Sequence, residues 1–261
     1  MTTEDIIVHV FCLVDDRMPR MKKHPQASLY PSEIVTIGIL FALKGGFFSA
    51  FYRWLKRDYE SLFAGLPDRT RLQRLLKTHR EWFDQLLAEP SFFTVLDTYP
   101  IELLLPIRER RSQHFIGGKG RDKGRWALGI KLGWLLNDCG QVVAWDWLPM
   151  NRGDNAFHPL AERFDGHTIV CADWGFRSVH GIPSNMMLCK KGTWNDRMYI
   201  ETALSMVTLI CRLKWMRHRV TDYLSAHLAC AAAMFNILLD LFHRLHPDAL
   251  PFQISIAEFS L

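Results

Sequence analysis

The apolar pattern of this chain changes character at Phe92, and that switch limits the architecture more than any other feature. Up to about residue 90 the apolar residues recur at helical spacing. Ser32 stands as an N-cap before the apolar run 34–43, and Gly45-Gly46 closes that helix. A second helix is expected over residues 51–62. A third is expected over residues 69–87, capped by Asp68 or Thr70, with Leu72, Leu75, Leu76 and Phe83 inward and Arg71, Arg74, Lys77 and Arg80 outward.

From Phe92 the runs become short, β-branched and aromatic. Residues 92–96 end at Asp97, where Thr98-Tyr99-Pro100 breaks the run. Residues 126–136 and 141–148 read as two strands joined by the turn Asn137-Asp138-Cys139-Gly140. Residues 154–164 read as a helix capped by Asp154, residues 168–172 as a buried strand ending at Asp173, and residues 184–189 as another strand. A long helix is expected from Asp196 to about Met216, and a last apolar helix over residues 222–245. This order predicts an α/β fold: a mixed central sheet flanked by helices, behind an α-helical N-terminal region. The expected division is 1–90 helical, 91–245 α/β, and 246–261 a tail.

With 49% hydrophobic and 23% charged residues, the chain can build a core and is not disordered. Six cysteines without a C-x-x-C pair argue against a zinc ribbon and a disulfide framework, and they suit a reducing compartment. No secretory signal pattern is visible, and the longest apolar runs, 34–43 and 228–239, fall short of the ~20 residues of a bilayer span. A cytoplasmic protein without a membrane partner is therefore expected. Between Arg108 and Lys131 stand eight basic residues against two acidic ones, a surplus greater than the +5 of the whole chain. That local field, with Arg121, Lys123 and Arg125 in a Gly-rich loop, suits a polyanionic partner. A solvated basic loop is the plainer alternative.

Three carboxylates stand where a sheet-based site would place them. Asp97 and Asp173 each end a strand, and open α/β sheets gather their sites outside strand ends. Glu201 lies on a polar stripe of its helix with Arg197, Thr208 and Arg212, opposite Ala203, Met206 and Val207. The helix packs either by that apolar face or by the rim of the stripe. Hard oxygen donors suit Mg²⁺ or Mn²⁺, and a metal pair serves in-line phosphoryl transfer. Taken singly, each acid could be a turn residue, a cap or a surface glutamate. Asp146 is a rival third carboxylate, and Trp145, Trp147 and Trp174 are expected to pack in the core.

The motifs Val95-Leu96-Asp97-Thr98-Tyr99-Pro100, Gly129-Ile130-Lys131-Leu132-Gly133, Cys171-Ala172-Asp173-Trp174-Gly175-Phe176 and Arg197-Met198-Tyr199-Ile200-Glu201-Thr202 resemble those of the DDE transposases of bacterial insertion sequences. The resemblance covers about residues 90–240 and implies an RNase H-like catalytic fold. It implies that Asp97, Asp173 and Glu201 hold two Mg²⁺ ions, with Mn²⁺ able to substitute. Many such enzymes carry a tyrosine, arginine, glutamate and lysine with two, three and six residues between them. Trp194, Arg197, Glu201 and Thr208 occupy those places here, and Arg212 is expected to stand in for the lysine charge. Arg197, Trp194, Lys131 and Arg212 would then contact DNA, with Arg121, Lys123 and Arg125 on its backbone. The implied partners are double-stranded DNA, as terminal inverted repeats and target, and a second copy of the chain on that DNA. The implied reaction is cleavage at transposon ends followed by strand transfer. A nuclease that cuts without joining, a DNA-binding remnant without chemistry, and a small-molecule metallohydrolase are the alternatives.

Overall fold

In the computed structural model, residues 1–18, 23–105, 109, 116–122, 124–189, 196–250 and 253–261 are described, without the side chains of 196–199 and 215. In chain order the elements are α1 (Thr3–Arg17), α2 (Pro31–Lys44), α3 (Phe48–Tyr59), α4 (Arg69–Thr78), β1 (Phe93–Leu104), β2 (Gly118–Asp122), β3 (Arg125–Leu136), β4 (Val142–Pro149), α5 (His158–Glu162), β5 (Ile169–Ala172), β6 (Met186–Leu188), α6 (Asp196–Leu209) and α7 (Thr221–Leu245). They divide into two units. One holds residues 1–87, 210–213 and 221–261; the other holds 88–209 and 214–220.

The first unit is helical. Its centre is α7, whose residues Leu224 to Leu239 are all buried and which meets α1, α2, α4 and the 3₁₀ segment Arg80–Leu86. A helix that is apolar all round must be enclosed, and here other helices enclose it. By length and composition α7 could span a membrane, but almost all of its apolar window is buried inside the protein. Asn236, the polar break in that window, donates its amide to the carbonyl of Leu86 at 3.0 Å. Helix α2 begins at Pro31, with the Glu33 carboxylate accepting the Tyr30 N–H at 2.6 Å. Ser32 therefore lies inside the first turn and is not the cap. Asp68 does cap α4, accepting the N–H groups of Thr70 and Arg71 at 3.0 Å. The sequence placed 222–245 in the second region; its main contacts, with α1, α2, α4 and the Arg80–Leu86 segment, put this helix with the N-terminal ones.

The second unit is a mixed six-stranded sheet. Central β1 runs antiparallel to β3 on one edge and parallel to β5 on the other, and β5 runs parallel to β6. The outer edge of β3 carries both β2 and β4, each antiparallel. The hairpin between β3 and β4 turns at Asn137–Gly140 as the turn residues require, with Gly140 at φ 74°. Two expectations fail here. Strand β1 does not stop at Asp97; it continues through Pro100 to Leu104 along β3. Pro100 is tolerated because β5 pairs with β1 at residues 93–95, and among the described residues no strand pairs with that edge of β1 beyond Val95. The Gly-rich segment from Gly118 is not a loop but edge strand β2, pairing with the start of β3.

One sheet face is closed by the 3₁₀ turn Asp154–Phe157 and α5. Leu96, Leu135, Val170 and Ala172 meet Phe157, Leu160 and Ala161 there in one buried cluster. Gly133 is small because the Phe157 ring lies on it: a Cβ there would stand 2.7 Å from two ring carbons. Helix α6 packs against β1, burying Ile200, Ala203, Leu204, Val207 and Thr208. That stripe takes in both the expected apolar face, at Ala203 and Val207, and the rim of the polar face, at Thr208.

Candidate active site

Register places the two strand aspartates. Val95 pairs with Cys171 across parallel β1 and β5, so Asp97 and Asp173 each lie two residues beyond a matched pair. The backbone of Asp173 stays extended (φ −84°, ψ 177°), carrying the line of β5 past its last ladder residue. Both aspartates thus lie just past the same end of the β1–β5 ladder, Asp173 one residue beyond β5. Asp97 is half-buried and its Oδ1 accepts the Thr98 N–H at 2.7 Å. Asp173 Oδ1 accepts the Gly175 N–H at 2.8 Å, opening the turn Trp174–Phe176.

A fourth acid joins them. Asp154 caps nothing; Gly153 takes the cap position, and the Asp154 carboxylate turns back to the sheet. Its Oδ1 accepts from the Thr98 hydroxyl at 2.8 Å and from the Lys131 ammonium at 2.9 Å. Gly175 marks how near the acids come: a Cβ on it would lie 2.8 Å from Asp173 Oδ1 and 3.0 Å from Asp154 Oδ2. Any side chain at 175 would push the two carboxylates away. Two anions side by side raise each other's energy unless a cation shares them, and the Lys131 ammonium supplies one such charge to Asp154. The only hint in the sequence was that Asp154 follows a glycine before a helical run, which a capping residue explains equally well.

Glu201 lies on the exposed rim of α6, the helix packed on β1, next to the buried stripe. Among the described residues, no group of three histidine, cysteine, aspartate or glutamate side chains gathers closely enough to hold a metal ion. The structure thus brings Asp173 near Asp154, places Asp97 and Asp173 just past one end of the β1–β5 ladder, and puts Glu201 on the helix packed against β1.

The other expected residues divide. Lys131 is half-buried and engaged with Asp154, its side chain 19% exposed, so it faces the acids and not the surface. Thr208 is fully buried, its hydroxyl donating to the carbonyl of Leu204 at 2.7 Å, so it does not share a solvent stripe with Glu201. Arg212 is not on α6, which ends at Leu209; it lies past the turn with φ 57°, beside Gly45 and Gly46. A buried Cys211 and the left-handed Arg212 end the helical run before the expected Met216. Arg121 and Arg125 are exposed on β2 and at the start of β3. The Arg121 guanidinium sits 5.0 Å from the ring centre of exposed Trp126, and Arg125 lies 3.8 Å from both Glu102 and Asp122. Lys123, Trp194 and the Arg197 side chain lie outside the described residues. Asp146 pairs with Arg163 at 3.7 Å on β4. Trp174, expected in the core, is instead 49% exposed beside Asp173, while Trp134 is the tryptophan that is fully enclosed. No protein-family model and no curated protein matches this chain.

Proposed function

We propose that the sheet-bearing unit is an RNase H-like phosphoryl-transfer domain, and that the chain is a DDE-type transposase acting on double-stranded DNA. The observation that supports this reading is that Asp97 and Asp173 both follow the same end of the parallel β1–β5 ladder, with the helix that bears Glu201 packed against β1. The mixed sheet with its parallel pair at the site suits that fold, and the motif resemblance is independent of it.

The donor types fit a hard divalent cation: each of the three expected ligands offers carboxylate oxygens. Asp97, Asp173 and Glu201 would hold Mg²⁺. When bound, a pair of such ions activates the attacking hydroxyl and steadies the leaving oxygen of an in-line displacement. The chain itself positions. Thr98 and Lys131 fix Asp154 against β1 and β3, and Asp154 in turn bounds the space over Gly175 into which Asp173 reaches. Arg121 and Arg125, exposed at the β2–β3 end of the sheet, would meet the DNA backbone in a salt-sensitive way.

The test is strand cleavage. The full chain is incubated in Mg²⁺ with the DNA that borders its own coding segment. New 3′-hydroxyl ends joined into a second DNA molecule are the expected products. Asp97→Ala and Asp173→Ala are expected to abolish both products while leaving DNA binding intact. Cleavage that persists in either folded variant would overturn the reading, and cleavage without joining would assign a nuclease.

A further inference from the structure

The turn that carries Asp173 is held from outside more than from within. Residues Trp174–Phe176 make a single 3₁₀ turn. Its backbone hydrogen bonds, from the Phe176 N–H to the Asp173 carbonyl and from the Arg177 N–H to the Trp174 carbonyl, are both 3.2 Å long. That is the long end of the usual N–H···O range, and an isolated 3₁₀ turn gains no support from neighbouring turns. Gly175 stands in its middle, and the Gly175 N–H is the donor that Asp173 Oδ1 accepts at 2.8 Å. The direction of the Asp173 carboxylate therefore follows the conformation of this turn.

Residues 154–158, whose own 3₁₀ turn packs on it, brace it at three points. The Asp154 carboxylate, tied to Thr98 and Lys131, lies against Gly175, with Oδ2 3.0 Å from where a Cβ on that glycine would stand. Phe157 and Phe176 are both buried in one apolar cluster. The third point is His158, whose Nε2 lies 2.7 Å from the carbonyl oxygen of Phe176. A carbonyl oxygen only accepts, so Nε2 carries a proton and donates it. His158 is half-buried at the start of α5, and Pro159 stiffens that first helical turn.

We infer that His158 is a positioning residue for Asp173: by holding the Phe176 carbonyl it fixes the turn, and the Gly175 N–H of that turn then aims the carboxylate. What the aiming serves rests on the reading of Asp173 as a metal ligand; the brace itself does not. Partners that orient a ligating side chain typically change metal affinity by about ten- to a hundredfold when they are lost. The plainer alternative is a staple between two loops, which adds stability and nothing else. A staple lowers the melting temperature when cut but leaves the metal affinity of the folded protein unchanged. His158→Leu removes the donor, whereas His158→Gln keeps an N–H donor near the Nε2 position.

The experiment uses the full chain without DNA. Mn²⁺ affinity is measured by isothermal titration calorimetry well below the melting temperature, and hydrogen exchange of the Gly175 amide by NMR. His158→Leu is expected to bind Mn²⁺ about tenfold more weakly than wild type and to exchange the Gly175 amide about tenfold faster, with His158→Gln restoring both to within about threefold. Unchanged affinity and exchange in folded His158→Leu, whatever its melting temperature, would overturn the inference. If His158→Leu does not fold, His158→Asn takes its place under the same expectation, since its amide falls one methylene short of the carbonyl. A Gly175 amide that exchanges in wild type as fast as in an unstructured peptide would also overturn it. Asp173→Asn tests the underlying reading separately. Equal Mn²⁺ affinity in wild type and Asp173→Asn, or no Mn²⁺ binding by wild type, would remove Asp173 as a ligand, and Gly175 exchange in the His158 variants would still decide the brace.

Discussion

Asp154 shows how much one side chain can organise. Its carboxylate takes the Thr98 hydroxyl and the Lys131 ammonium on one oxygen and turns the other toward the Gly175 position beside Asp173. Lys131 and Asp154 are only 19% and 28% exposed, so their attraction is screened less than that of a surface pair. Asp154→Asn keeps the shape and the Thr98 bond but removes the charge facing Lys131. A hydrogen bond to a charged group contributes about 1.5–3 kcal/mol, which corresponds to at least roughly tenfold in rate if it is expressed in the transition state. If the proposed strand cleavage holds, its rate in Asp154→Asn is expected to fall about tenfold, with a lower urea midpoint as well because Lys131 loses its counter-charge. A rate equal to wild type, with a lowered midpoint, would make the contact structural only. The residue scale is also where the sequence misled most. Asp154 follows a glycine and precedes a helical turn, so local pattern makes it a cap; its partners at 98 and 131 are tertiary, and no spacing rule links them.

Elements were legible wherever their signal was local. The β3–β4 hairpin follows from two alternating runs around a turn that needs Gly140, and α7 follows from an apolar stretch too long for a strand. Strand β1 was not readable past Asp97, because Pro100 reads as a breaker until one sees that, among the described residues, no strand pairs with that edge beyond Val95. Strand β2 is glycine, lysine, arginine and aspartate, a composition that fits only an edge. Helix α6 was drawn too long, since apolar Ile210 and Leu213 continue its period after the backbone has left it. Gly133 gives the element scale its measurement. The β3 strand accepts the Phe157 ring only because position 133 has no side chain, the would-be Cβ lying 2.7 Å from two ring carbons. Gly133→Ala is expected to cost about 1–3 kcal/mol by overpacking, read as a lower urea midpoint of the whole protein. A midpoint at or above that of wild type would show that the ring moves freely aside.

At the scale of the molecule, chain order and spatial grouping part company. Residues 1–87 and 221–261 make one unit, and most of the sheet-bearing unit is inserted between them. A boundary at residue 90 looks natural in the sequence, because helical periodicity gives way to strands there. The helices before it nevertheless depend on α7, which meets α1, α2 and α4. A fragment of residues 1–90 lacks that helix and is expected to show little amide-exchange protection, whereas the same amides in the full chain are expected to exchange slowly. Slow exchange in the fragment would show that the first four helices hold together alone.

That interleaving also sets a timetable for synthesis. Ribosomes emit about 5–20 residues per second, so roughly 10–40 seconds separate the appearance of α2 from the arrival of its main covering helix. Throughout that interval α2 has only α1, α3, α4 and the Arg80–Leu86 segment to pack on, so newborn chains are expected to be most vulnerable to clumping or to capture by a chaperone before α7 emerges.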